Sequence, residues 1–149
     1  MGEGRNSIYL AEHRFQVEGV DNSQEAIDNA LKLAKEKQVE ISTHLVDLEK
    51  DFFIKEECYD VIICFNFLQR SLIPHIKKGL RPNGMIVYET YIIEQAQFGR
   101  PTNPDYLLKH NELLDYFREF RCLRYHEGIM ENEKAVAGII TQKGENKNA

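Results

Sequence analysis

The 149-residue chain carries 42% hydrophobic and 29% charged residues and a formal net charge of −5. That is enough apolar material for the core of one domain, and the acidic balance leaves no basic footprint for nucleic acid. No apolar run approaches the roughly 18 residues of a membrane span and the N-terminus lacks a charged-then-apolar export signal, so a soluble protein that is not exported is expected.

The opening MGEGRN sets Gly2 and Gly4 ahead of a helical pattern, SIYLAEHR, in which Ile8, Leu10 and Ala11 share a face and Asn6 or Ser7 is placed to cap the start. FQVEGV then alternates as a strand that ends at Asp21. NSQEAIDNALKLAKEKQ predicts an amphipathic helix, with Ser23 before Ala26, Ile27, Ala30, Leu31 and Ala34 on one face. VEISTHLVD is a second alternating strand, with Ile41, Thr43 and Leu45 on one side and Asp47 at its end. The continuous apolar run YDVIICFNF has the pattern of a central parallel strand covered on both faces.

LQRSLIPHIKKGLRPNG reads as a helix entered through Leu72 and Ile73 and closed by a turn at Pro82 and Gly84. Its basic residues suit the negative end of the helix dipole and a solvated face. MIVYETYII is a further buried strand, and Gly99, Pro101, Asn103 and Pro104 make FGRPTNPDYLLKH a loop. NELLDYFREF predicts a short helix with Leu113, Leu114 and Phe117 inward. RCLRYHEGIMENEKAVAGIITQK gives two strands joined at ENEK, a terminal antiparallel hairpin. Residues 1–143 are expected to form a single domain and residues 144–149 a disordered tail.

Cys58, Cys64 and Cys122 form no CxxC pair, and the odd number suits neither a disulfide framework nor a zinc site, which fits a reducing cytoplasm. His13, His44, His75, His110 and His126 are scattered without an i, i+4 pair, so no metal is expected.

Helices and strands alternating in this order imply an α/β sheet with helices on both faces, whose ligands lie beyond the carboxyl ends of the strands. That rule places Gly2, Gly4, Asp21, Asp47, Asn66, Glu89 and Thr90 on one sheet edge. Asp21 follows Gly4 by 17 residues, the interval at which a carboxylate accepts ribose hydroxyls in a nucleotide-binding βαβ unit. Each residue also has a plainer reading. Paired glycines mark turns, VDNS caps the next helix, Asp47 is a solvated strand-end acid rather than a partner for an adenine amino group, and Phe67 and Leu68 belong to a core.

The stretches GEGRNSIYLA, VEGVDNS, VDLEKDF, YDVIICFNFLQRSL and LRPNGMIVYETY, followed by a hairpin, resemble a class I S-adenosylmethionine-dependent methyltransferase of the tellurite-resistance-like small-molecule subgroup. The resemblance implies a Rossmann-like fold and S-adenosylmethionine as cofactor. It puts Gly2, Gly4, Arg5 and Asn6 against the methionine end, Asp21 on the ribose, Asn22 beside the adenine, Asp47 and Leu48 at the adenine edge, and Asn66, Phe67 and Leu68 on the methyl-donor side. No single catalytic residue is implied. A small-molecule acceptor would enter over residues 91–108, where Tyr91, Arg100 and Tyr106 are the candidate contacts, with Glu89 on the preceding strand as a group to take a proton, although a loop arginine is more often solvated. The hairpin argues against a dinucleotide dehydrogenase, and the lack of an NPPY-like or DPPY-like run argues against base methylation in nucleic acid.

Members of that family also carry a hydrophobic first strand before the glycine turn, and here only Met1 precedes Gly2. The expectation is an N-terminally truncated fold. Four core-facing side chains at about 1.5 to 3 kcal/mol each would forfeit about 6 to 12 kcal/mol, comparable to the whole stability of a domain. Three explanations stay open: the chain is internal to a longer protein, another chain or a second copy supplies a strand, or the chain is a non-catalytic remnant that acts as an interaction module through an open sheet edge. Arg14 and Gln38 follow helices where glycine would relieve left-handed strain.

Overall fold

A computed structural model describes residues 1–2, 4–50 and 54–145. Part of the expected tail, residues 146–149, and Asp51 and Phe52 of the VDLEKDF stretch lie outside the described residues. The chain divides into two compact units, Met1–Phe52 and Phe53–Ala149.

In the first unit, α1 (Arg5–Glu12), β1 (Glu18–Asp21), α2 (Gln24–Glu36) and β2 (Ser42–Leu45) follow the predicted order. β1 and β2 pair in parallel, with Asp21 opposite Leu45. The core is Ile8, Val17, Ile27, Ala30 and Ala34. Leu31 and Leu45, expected to face inward, are 42% and 56% exposed, because small alanines at 30 and 34 set the depth of the α2 contact and β2 has a strand on one side only among the described residues. Ser23 caps α2 as expected, its Oγ accepting from Ala26 N at 3.2 Å. α1 differs: Gly4 in the left-handed region precedes its first turn, with no side-chain cap from Asn6 or Ser7.

Both helices close through the same motif. Phe15 N donates to Leu10 O and Arg14 N to Ala11 O, while Val39 N donates to Ala34 O and Gln38 N to Lys35 O. This pairing needs a left-handed residue just past the helix, and Arg14 (φ 68°) and Gln38 (φ 58°) occupy it without being glycine.

The second unit holds β3 (Tyr59–Phe65), a 3-10 turn at Arg70–Leu72, α3 (Ile73–Gly79), β4 (Leu80–Tyr91), 3-10 turns at Ile93–Gln97 and Pro104–Tyr106, α4 (Glu112–Tyr116), β5 (Arg121–Ile129) and β6 (Ala135–Gln142). The sheet order is β3-β4-β6-β5, with β3-β4 parallel and the last two pairings antiparallel. The predicted hairpin is present, closed by Met130 N donating to Lys134 O at 2.8 Å. RPNG loops out of the ladder, since the register jumps from Tyr59 opposite Leu80 to Val61 opposite Met85, and Asn83 is left-handed there.

The single sheet expected from the sequence is therefore split in two among the described residues, since β1 and β3 each bond to one strand only. β3 is correspondingly half-buried rather than covered on both faces, and Phe65 is 39% exposed. Tyr88, Ile86, Leu80, Ile92, Leu108, Leu113 and Phe117 form the centre of this unit. Leu113 and Phe117 point inward as predicted, while Leu114 is half-buried. No helix among the described residues is long and apolar enough to cross a membrane.

Candidate functional site

In the first unit the glycine turn folds onto the end of β1. Gly2 (φ 56°) and Gly4 (φ 82°) both adopt the left-handed region, where a side chain costs about 1 to 2 kcal/mol. At Gly4 a Cβ would also stand 2.7 Å from the Cβ of Ala30, so the absence of a side chain lets the turn rest on α2. Among the described residues nothing lies within 4 Å of the Cβ position at Gly2, which leaves its backbone open to approach.

Asp21 is the hub of this turn. Its Oδ2 accepts from Gly2 N at 2.8 Å and from the Met1 ammonium at 3.1 Å, and its Oδ1 accepts from Ser23 N at 3.0 Å. Burial raises the pKa of this carboxyl, but the bonds from Ser23, Gly2 and the ammonium outweigh it and hold the group below its ordinary value. The ammonium also donates to Val20 O at 2.9 Å, a carbonyl on the edge of β1 away from β2. The cap of α2 falls to Ser23 Oγ rather than to Asp21, whose carboxylate is taken up by Gly2, the Met1 ammonium and Ser23 N.

Val46 N donates to Asp21 O at 2.9 Å, which brings Asp47 and Leu48 beside the end of β1. Asp47 Oδ1 accepts from Glu49 N at 3.0 Å, closing a local turn, and its Oδ2 lies 3.6 Å from Lys50 Nζ. Leu48 is half-buried, and Arg5, Asn6 and Asn22 are exposed. Arg5, Asn6, Asn22, Asp47 and Leu48, together with Gly2 and Gly4, thus share one end of the two-stranded sheet or the start of α1 with Asp21; Ile8 is the buried anchor of that helix.

In the second unit, Asn66 (φ 54°) turns the chain at the end of β3, its N–H donating to Glu89 O at 2.9 Å. The carbonyl of Phe67 is gripped by Tyr88 Oη at 2.7 Å and Cys64 Sγ at 3.8 Å. Burial pushes the Cys64 thiol up to about 11 and raises the Tyr88 phenol as well, so both remain protonated donors. Asn66 is exposed and Phe67 half-buried, whereas the Leu68 side chain is 3% exposed and packs in the core.

Glu89 meets partners that sequence reading did not single out. Its Oε2 lies 3.0 Å from His126 Nε2 and its Oε1 3.8 Å from Lys134 Nζ, and that ammonium stands 5.3 Å over the Tyr91 ring. Arg100 and Tyr106 are exposed on the following loop, and no hydrogen bond joins either side chain to Glu89 or Tyr91 among the described residues. The loop is fixed by its backbone: Gln95 Nε2 donates to Arg100 O at 3.4 Å, and Arg70 donates to Asp105 O at 3.0 Å and Leu107 O at 2.9 Å.

Arg70 was also missed. It forks onto Glu112, Nε to Oε1 at 2.6 Å and Nη2 to Oε2 at 3.2 Å. Burial pushes the Glu112 carboxyl up, but bonds from Arg70, Lys109 N and Tyr116 Oη override it and bring the pKa down to about 2. For His126, by contrast, the sequence held a signal in Gly138 inside an apolar strand, since an isolated strand glycine marks a close approach and the His126 ring lies against it.

The family description "Tellurite resistance protein TehB" matches residues 1–139. The chain belongs to the TehB family. It is 27% identical over 139 residues to a "Probable S-adenosyl-L-methionine-dependent methyltransferase TehB" of Haemophilus influenzae, a match that covers 89% of this chain and 48% of that protein. The chain thus spans about half the length of the curated TehB relatives it matches. A ubiquinone biosynthesis O-methyltransferase of Rickettsia akari is 31% identical over 97 residues, covering 60% of this chain and 37% of that one. Among solved structures, the crystal structure of TehB from Haemophilus influenzae superposes with a TM-score of 0.79 at 24% identity, covering 95% of this chain and 55% of that one. A SAM-dependent methyltransferase from Methanosarcina mazei gives 0.71 at 17% identity, with 97% and 90% covered. This TehB-family chain therefore has the Rossmann-like methyltransferase fold, with the antiparallel hairpin at its C-terminal end.

Proposed function

We propose that this chain is an S-adenosylmethionine-dependent methyltransferase acting on a small molecule in the cytoplasm, with residues 1–143 as its domain. The observation that carries the reading is the junction of the left-handed glycine turn with Asp21, Gly2 N to Oδ2 at 2.8 Å. A carboxylate held ionised at a strand end, beside open backbone at Gly2, suits a nucleoside ribose and the adjoining amino-acid portion of the cofactor.

The residues present fit that group. Oδ1 keeps a lone pair beyond the bond from Ser23 N, and a ribose hydroxyl can replace the Met1 ammonium on Oδ2. Asn22 is exposed next to it, and Asp47 and Leu48 are offered for the adenine edge. Gly2, Gly4, Arg5 and Asn6 are assigned the methionine end. In the second unit, Asn66, Phe67 and Leu68 are assigned cofactor contact through the turn that Tyr88 and Cys64 hold in place, with Leu68 contributing backbone. When bound, the cofactor supplies an activated methyl group on a sulfonium. The chain's own task is to hold donor and acceptor in line and keep water out.

Isothermal titration of S-adenosylmethionine and S-adenosylhomocysteine into the folded chain tests this. Charge-assisted bonds are worth about 1.5 to 3 kcal/mol each, so losing two in Asp21→Ala weakens binding by a factor of about 100 or more. Micromolar binding with that loss is expected. A chain folded by circular dichroism that takes up neither ligand overturns the proposal.

A further inference from the structure

Three strands bring Glu89 and His126 together over a missing side chain. Glu89 of β4 and His126 of β5 are each the register partner of Gly138 on the intervening β6. The two positions are two strands apart, a span that side chains bridge only if nothing stands between them. At Gly138 a Cβ would lie 2.8 Å from His126 Nε2, so glycine there allows the imidazole to lie across the strand and reach Glu89 Oε2 at 3.0 Å. Lys134 flanks the carboxylate from the other side.

Resting on the methyltransferase reading above, we propose that His126 is the base that removes the proton from a hydroxyl-bearing methyl acceptor, with Glu89 as its positioning residue. A carboxylate only accepts, so the bond to Glu89 places the imidazole hydrogen on Nε2 and leaves the lone pair on Nδ1. Nδ1 has no hydrogen-bond partner among the described residues. His126 is 42% exposed, which leaves the ring reachable, while Glu89 at 27% is more enclosed. In the step, the acceptor oxygen forms a bond to the methyl carbon as the methyl–sulfur bond breaks with its electron pair passing to sulfur. The hydroxyl proton passes to Nδ1, and the resulting imidazolium is stabilised by Glu89.

The test uses the full chain with radiolabelled S-adenosylmethionine and two probes in mildly alkaline buffer: phenol, which keeps its proton, and 4-nitrophenol, which has largely lost it. His126→Gln is expected to lower the phenol to 4-nitrophenol rate ratio by about 100-fold or more. Glu89→Ala lowers the same ratio, and Glu89→Gln, which still accepts from Nε2–H, restores part of it. Nitrogen-15 imidazole spectra of the chain without cofactor should show His126 protonated on Nε2. A ratio unchanged by His126→Gln, no turnover of either phenol by a chain that binds S-adenosylmethionine, or a proton on Nδ1 overturns the dyad. Absence of S-adenosylmethionine binding instead overturns the reading beneath it, and the two failures are told apart by the titration.

Discussion

Replacing Glu112 with Gln removes the charge from a carboxylate that accepts from both arms of Arg70, from Lys109 N at 2.7 Å and from Tyr116 Oη at 2.8 Å. Its pKa falls from an ordinary 4.5 to about 2 on folding. At about 1.4 kcal/mol per unit, that fall corresponds to at most about 3.5 kcal/mol of stability. Arg70 is 35% exposed, so solvent screening reduces the usable part to about 1 to 2 kcal/mol. The folded pKa is the lower one, so this stability is present in full above about 4.5 and drains as pH falls toward about 2. Urea melts of the chain and of Glu112→Gln at a series of pH values read it directly. The variant is expected to be less stable by about 1 to 2 kcal/mol near neutrality, or about 2 to 8 °C in a thermal melt, with the gap closing through the acid window. A gap that stays constant down to the lower limit would refute the assignment of this stability to an ionised Glu112.

Gly4→Ala meets both a left-handed backbone and the Cβ of Ala30 at 2.7 Å, and a loss of about 2 kcal/mol or more is expected in urea melts; an unchanged midpoint contradicts the close approach. Arg14→Gly and Gln38→Gly should each stabilise by about 0.5 to 1 kcal/mol, the relief of left-handed strain exceeding the extra freedom glycine gains in the unfolded chain. A loss of stability in both would show that their side chains, rather than the helix closures, set the balance.

Much of the fold was legible because its cues are local. Ser23 three residues before Ala26, the alternation through Val17 and Gly19, and the ENEK break between two apolar strands each act within a few residues, and the structure follows them. Arg14 and Gln38 were readable as strained positions for the same reason. What the sequence hid depends on pairing at long range. The chain separates Arg70 from Glu112 by 42 residues and Glu89 from His126 by 37, and neither pair has a spacing that a helix or strand period could expose. Leu31 and Leu45 looked internal because periodicity reports which face a residue occupies and not whether another element covers it. Gly138 carried information that only the register gave meaning to, since its neighbours across the sheet come from two distant segments.

The central claim is that the glycine turn and the strand ends of the first unit hold the cofactor. The most direct measurement is a titration of the nitrogen-15-labelled chain with S-adenosylhomocysteine, followed residue by residue in amide spectra. The account predicts that the largest shifts fall on Gly2, Gly4, Asp21, Asn22, Asp47 and Leu48 and saturate at micromolar ligand. Shifts confined to other residues, or none at all in a well-dispersed spectrum, would contradict it.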